Sequence, residues 1–341
     1  MISIDGNSRI PKYKQIVHTI QNNIKHGNFT QGDQLPSINS LKNDLSVARD
    51  TVIKAYKELA TMGIITSMPG KGYYVSRAHH KIKHHVFLLF DLFLPFKKTI
   101  YNAFVEHIGE NAIVDIYFHH YNLKLYKKLI REAIGQYTDY IIMPIEGDQE
   151  QARWFEDTLG LENVYILDVG YTQYGRRYPS VCQNFKKQWY QGLLEVEDKI
   201  KKYDRLVLIE YREPWSEYSL PHDQEMVAGF EQFCQDRRVN SKIIEKEKDL
   251  KIQKNECYVI PNDNDLVKVI KIVRQNNFRL GEEVGIISHN EAPLKSIICM
   301  EGVTTITTDF AAMGRNMADM IINGKQEHIE NPSSLVLRGS I

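Results

Sequence analysis

From Val86 onward, strand-sized apolar runs recur at 86–90, 114–118, 139–143, 164–167, 205–209, 256–260 and 284–288, with stretches of helical spacing between them. Runs such as Val86-Phe-Leu-Leu-Phe and Val284-Gly-Ile-Ile-Ser are apolar at nearly every position. Such strands need cover on both faces, and a parallel sheet sheathed in helices supplies it. A chain of 341 residues also exceeds one ordinary core. The expectation is therefore a doubly wound, two-lobed parallel α/β body over residues 86–341, preceded by a smaller domain.

Polar residues follow these strands: Asp91 after the first, Glu146 after the third, Asp168 after the fourth, Glu210 and Arg212 after the fifth, and Asp263 and Asn290-Glu291 after the last two. In open parallel sheets ligands bind outside the carboxyl ends of the strands, so these side chains are candidates to line one cleft between the lobes. Phe93 and Phe96 would add aromatic faces at its rim. Carboxylates and amides beside rings suit a hydroxyl-rich ligand, whose OH groups donate to the acids while its C–H faces stack. Strand-to-helix loops also supply helix caps, a role open to Asp263.

The N-terminal 76 residues follow another rhythm. Tyr13, Ile16, Val17, Ile20 and Ile24 recur at helical spacing up to Gly27. Pro36-Ser37 offers a turn and an N-cap for a second helix buried through Leu41 and Leu45, and a third helix runs from about 48 to 62. Ile64-Ile-Thr, the turn Pro69-Gly70-Lys71-Gly72 and Tyr73-Tyr-Val read as a hairpin. Three helices and a hairpin make a winged helix-turn-helix. Arg49 and Thr51 open the third helix, Lys54 lies one turn on, and Gly70 and Gly72 let the backbone around Lys71 approach a groove.

Charge agrees with this division. The chain is neutral overall, 43 basic against 43 acidic residues, but residues 1–85 hold 12 Lys/Arg and 5 Asp/Glu, which leaves +7 on the head and −7 on the body. A basic head on an acidic body places phosphate attraction where a duplex would sit.

Residues 77–85 form a polar, basic linker ending in Lys-Ile-Lys-His-His. Its four histidines lack a carboxylate or cysteine to complete a metal set, and a solvated linker explains them equally well. The four cysteines are widely spaced, which argues against disulfides and a zinc site. No metal or cofactor is expected. No apolar run reaches the roughly 18 residues of a membrane span, and no secretory signal is legible, so a cytoplasmic protein is expected.

Pro11-Lys-Tyr-Lys-Gln-Ile, Gly32-Asp-Gln-Leu-Pro-Ser, Ala48-Arg-Asp-Thr-Val and Gly70-Lys-Gly-Tyr-Tyr-Val together resemble the GntR family head. The resemblance implies DNA contacts at Ser37, Arg49, Thr51, Gly70, Lys71 and Gly72. Two positions depart from the pattern, Asn39 where an arginine is usual and Ala48 where a serine caps the helix. Asn262-Asp263, Leu280-Gly-Glu-Glu-Val-Gly-Ile-Ile-Ser-His-Asn-Glu, Val303-Thr-Thr-Ile and Leu335-Val-Leu-Arg-Gly-Ser resemble the effector domain of LacI-type repressors, most strongly after residue 255. That domain has the periplasmic-binding-protein fold, and the resemblance implies ligand contacts at Asp263 and Asn290, with Asp91 and Phe93 in the first binding loop. Met226 stands where such domains usually carry a clamp arginine, unless Arg212 substitutes for it.

A GntR head on such a body is similar to the arabinose-repressor subgroup. This implies a homodimeric repressor that binds a double-stranded operator under control of a sugar or sugar derivative. Three rivals differ in the body. A pyridoxal-phosphate enzyme domain would need a Schiff-base lysine loop and more chain. A plain solute-binding protein would have no use for the winged helix. An orphan regulator that has lost its effector is kept open by Met226.

Overall fold

The computed structural model describes every residue except 1, 7–9, 77–82, 146–148, 160–162, 171–173, 175–176 and 211–220. In the head, helices α1 (Lys12–Lys25), α2 (Ile38–Leu45) and α3 (Arg49–Thr61) are followed by strands β1 (Ile65–Met68) and β2 (Gly72–Val75). The helices close on a core that includes Ile16, Ile20, Leu41, Val52, Tyr56 and Leu59. Ser37 is extended and accepts the Ser40 amide at 3.0 Å, which starts α2; Ser46, left-handed at φ 50°, ends it. Ala48 begins α3 without a side-chain cap, as the departure at that position implied. The hairpin is antiparallel with Ile65 opposite Val75 and Met68 opposite Gly72.

The body contains two six-stranded sheets. The first has β3 (His84–Phe90), β4 (Ala112–Phe118), β5 (Asp139–Ile142), β6 (Val164–Asp168), β7 (Ser180–Cys182) and β13 (His328–Glu330), in the order β13-β7-β6-β5-β3-β4. The second has β8 (Arg205–Ile209), β9 (Ser241–Ile244), β10 (Glu256–Ile260), β11 (Val284–His289), β12 (Thr304–Thr308) and β14 (Ser333–Val336), in the order β14-β12-β11-β10-β8-β9. β3 is parallel to β4 and β5, and β8 through β12 are parallel to their neighbours; β14 runs antiparallel against β12. All seven strands expected from the apolar runs are present, in a doubly wound α/β arrangement.

Five strands had no such run. β12 is the instructive one, because Thr-Thr-Ile-Thr-Thr reads as polar yet every residue is buried. Its hydroxyls are satisfied by carbonyls: Thr304 donates to that of Arg338, Thr305 to that of Val303 and Thr308 to that of Pro332. Buried polar groups cost little once hydrogen-bonded, so a threonine strand can occupy a sheet interior.

The chain divides into two compact units. One comprises Met1–Phe93, Tyr101–Val181 and Gly314–His328, and so holds the head together with the first sheet; the other comprises Leu94–Ile100, Cys182–Met313 and Ile329–Ile341. The expected linker is shorter than 77–85, because His84 and His85 already belong to β3. Carboxylates on adjacent strands draw them in: His84 Nδ1 lies 2.9 Å from Asp139 and His85 Nε2 3.1 Å from Asp115. All four cysteines are buried and none forms a disulfide. Among the described residues no helix is long and apolar enough to cross a membrane.

Candidate DNA interface and effector site

On the head, Ser37, Arg49, Lys54, Gly70, Lys71 and Gly72 are exposed and Thr51 is half-buried. The wing is held rather than free. Gly70 and Gly72 have φ of 73° and 108°, a region that side chains with Cβ rarely occupy. Gln34 donates from Nε2 to the Lys71 carbonyl at 2.7 Å, and a Cβ on Gly72 would come within 3.2 Å of that nitrogen. The brace fixes the loop backbone and leaves the Lys71 side chain to solvent. Lys54 is placed differently, with its ammonium 3.8 Å above the Tyr13 ring. A cation over an aromatic face is held to a direction as well as attracted.

In the first unit, β3 ends on Asp91, whose carboxylate is buried and accepts from the Leu92 amide at 2.6 Å and the Tyr121 hydroxyl at 3.0 Å. Tyr121 reaches it from a loop after β4 in which His120 and Tyr121 are both left-handed, φ 50° and 54°. Two consecutive non-glycine residues in that region cost of order 1–3 kcal/mol each, a strain that tends to collect at functional loops. Phe93 is 78% exposed, with Phe118 edge-on at 5.4 Å. Asp168 closes β6, buried and left-handed at φ 70°. Glu146 and Arg212 lie outside the described residues.

In the second unit, Asp263 opens the helix Asp263–Gln275 after β10, beside the cap Asn262, whose side chain accepts from the Asn264 amide. The capping role falls to Asn262, and Asp263 is left as a solvent-facing carboxylate, 67% exposed at its side chain. Lys295, from the 3-10 turn Pro293–Ser296, lies beneath it with 3% of its side chain exposed. Its ammonium sits 2.8 Å from Asp263 Oδ1 and donates to Ser288 Oγ at 3.0 Å, to the Asn290 carbonyl at 2.8 Å and to the His289 carbonyl. Burial pulls the Lys295 pKa down, and Asp263 opposes that shift.

Asn290 is left-handed at φ 58°, and its amide donates to the Ile306 carbonyl at 2.9 Å. Its Oδ1 is buried and accepts nothing. Glu291 is held by Arg338, which donates from both guanidinium ends at 3.0 and 2.7 Å, and the pairing raises the Arg338 pKa. Phe96 stacks on Phe310, centroids 4.6 Å apart. Met226 is buried in the helix Pro221–Arg237.

Asp263 and the Asn290 backbone are thus brought together, by a residue that sequence reasoning missed. Lys295 sits in a short polar loop between exposed Leu294 and Ile297, and nothing in that spacing marks it as buried. Tyr121 and Arg338, both half-buried, were missed as well.

Residues 12–75 match Bacterial regulatory proteins, gntR family, and residues 190–341 match the Periplasmic binding protein-like domain. The chain joins a GntR-type head to a periplasmic-binding-protein-like body. Curated relatives match over the GntR-type head. HTH-type transcriptional repressor YtrA of Bacillus subtilis is 41% identical over 76 residues, 22% of this chain and 58% of its own length. The mannosyl-D-glycerate transport/metabolism system repressor MngR of Escherichia coli is 33% identical over 79 residues, 23% of this chain and 32% of its own. Uncharacterized regulator YdfD of B. subtilis is 44% identical over 64 residues, 19% of this chain and only 13% of its own. The chain therefore spans less than two thirds of these relatives' own length.

Solved structures cover the periplasmic-binding-protein-like body. A dimeric Lac repressor with a C-terminal deletion aligns over 75% of this chain and 98% of its own, TM-score 0.62 at 14% identity. The Lac repressor dimer bound to operator and the anti-inducer ONPF aligns over 75% and 93%, TM-score 0.59 at 15% identity. A transcription regulator like protein from Staphylococcus haemolyticus aligns over 75% and 98%, TM-score 0.59 at 12% identity. At such identities the likeness establishes the fold. These relatives and neighbours are transcription regulators by name.

Proposed function

We propose that this protein is a cytoplasmic, sequence-specific DNA-binding transcriptional regulator, acting as a repressor, whose operator affinity is set by a small polar effector, a sugar or sugar derivative. The observation that carries the reading is the head: a GntR-type winged helix that displays Lys71 on a braced wing and Arg49 at the start of its third helix. Ser37, Thr51, Lys54, Gly70 and Gly72 complete its proposed DNA face. Candidate effector contacts at the carboxyl ends of the body strands are Asp91, Phe93 and Asp168 in the first unit and Phe96, Asp263, Asn290 and Glu291 in the second, with Glu146 and Arg212 as further candidates. Coupling of effector to DNA would be of order 1–3 kcal/mol.

A regulator of this kind binds a two-fold-related operator as a homodimer. A surface fit for self-association is present. Leu294, Ile297 and Met300 are 69%, 73% and fully exposed at three-residue spacing in the second unit. Apolar side chains grouped on a surface mark contact faces, and a second copy of this chain is the occupant proposed.

The test is a duplex enriched from a random pool and titrated with salt. Log affinity should fall linearly with log salt, with a slope of roughly −0.9 per phosphate contact. Lys71→Ala should weaken every sequence alike and flatten the slope, whereas Arg49→Ala should also relax sequence preference, by about 1–3 kcal/mol if it reads a guanine edge. Affinity indifferent to salt would overturn the DNA-binding role.

A further inference from the structure

Met226 stands where a clamp cation is expected, and among the described residues a different cation is present at the carboxyl ends of β10 and β11. It is Lys295, and it is fully engaged. An ammonium has three protons, and this one faces four acceptors: Asp263 Oδ1, Ser288 Oγ and the carbonyls of His289 and Asn290. Ser288 in turn donates to the Ile260 carbonyl, so one buried charge ties the ends of two adjacent strands to the first turn of the following helix. Arg338 is committed to Glu291 in the same way.

What this cluster turns outward is therefore an acceptor, the Asp263 carboxylate. Asp263 uses one oxygen on Lys295 while its side chain remains two-thirds exposed. Behind it, Asn290 Oδ1 is buried and has no hydrogen-bond partner among the described residues. A buried acceptor left unmade costs free energy that an arriving donor recovers. An incoming carboxylate or phosphate would instead meet the exposed Asp263 carboxylate, with Lys295 and Arg338, the cations described beside it, already paired.

We propose that Lys295 is a positioning residue that aims the Asp263 carboxylate and the Asn290 loop at the effector, and that the resulting acceptor-lined site selects neutral or amino sugars over sugar acids and sugar phosphates. This rests on the effector reading above. Lys295 does not touch the ligand; it acts through Asp263.

The experiment measures thermal shift and calorimetric affinity of the full chain for ribose, arabinose, xylose, glucose and galactose, for glucosamine, and for gluconate and glucose phosphate. At least one neutral or amino sugar should bind, with the acid and the phosphate at least tenfold weaker. Lys295→Met, which keeps the length and removes the charge, should cost at least tenfold in that affinity. In the Asp263→Ala background the same substitution should cost nothing more, the non-additivity expected of residues acting as one unit; a merely structural lysine would give additive losses. If Lys295→Met does not fold, Asp263→Asn tests the pair from its exposed side and should lose the sugar by a similar factor. Additive losses, or preferred binding of gluconate or glucose phosphate, overturn the inference and leave the effector reading standing. A wild-type protein that binds none of the probes overturns both.

Discussion

Gly229 offers a sharp test of how the second unit is assembled. It lies in the helix Pro221–Arg237, where alanine is normally the better residue by about 1 kcal/mol. Here the helix Phe185–Glu195 crosses so close that a Cβ on Gly229 would stand 2.4 Å from the Lys186 carbonyl oxygen and 3.0 Å from Trp189 Cβ. A backbone oxygen cannot swing aside, and Trp189 is fully buried, so the helices must separate by nearly 1 Å to reach ordinary contact. Overpacking of this kind costs about 1–3 kcal/mol; with relief blocked on both sides we take the upper end. Set against the helix-propensity gain, Gly229→Ala should destabilise by ~2 kcal/mol. For a unit of this size that is a fall in midpoint of about 4–8 °C in calorimetry. Gly192→Ala, whose Cβ would meet only the side chain of Ile306 at 2.7 Å, should cost less because that side chain can turn. A Gly229→Ala protein with an unchanged or raised midpoint would refute the close-packing argument.

Two further outcomes are expected. Replacing Leu294 and Met300 together by aspartate should convert a dimer to a monomer in light scattering at micromolar concentration and weaken duplex binding, since charges do not cross an apolar contact; a dimer that persists would remove this surface from the interface. Acid unfolding should also depend on Arg237, because Arg237 and then Lys201 hold the Glu197 carboxyl down at about 2 from an ordinary 4.5. A depressed carboxylate contributes stability that is present above 4.5 and lost as pH falls through about 2. Arg237→Ala should therefore flatten the stability profile between those values, and by a modest amount, because the pair is solvent-screened; urea midpoints measured across that range would show whether it does.

The sequence by itself determined the head and the sheets. Helical spacing, the Ser37 cap and the paired glycines of the wing are local signals, and the α1–α3 and β1–β2 elements follow from them with little help from distant residues. Apolar runs likewise specified seven parallel strands, most of them buried on both faces, though β4 lies at the sheet edge with none of its residues buried. Tertiary structure decided what burial alone cannot announce. Thr304–Thr308 became an interior strand because carbonyls more than twenty residues away accept two of its hydroxyls. His84 and His85 left the linker because Asp139 and Asp115 stand on neighbouring strands. Lys295 was indistinguishable in the sequence from any solvated loop lysine. It became the buried centre of the candidate site because the ends of β10 and β11, 28 residues apart at Ile260 and Ser288, arrive side by side with carbonyls and a carboxylate aimed at one point. A charge's role depends on what surrounds it in space, and parallel sheet topology, by joining distant strand ends, sets those surroundings far from where the residue lies in the chain.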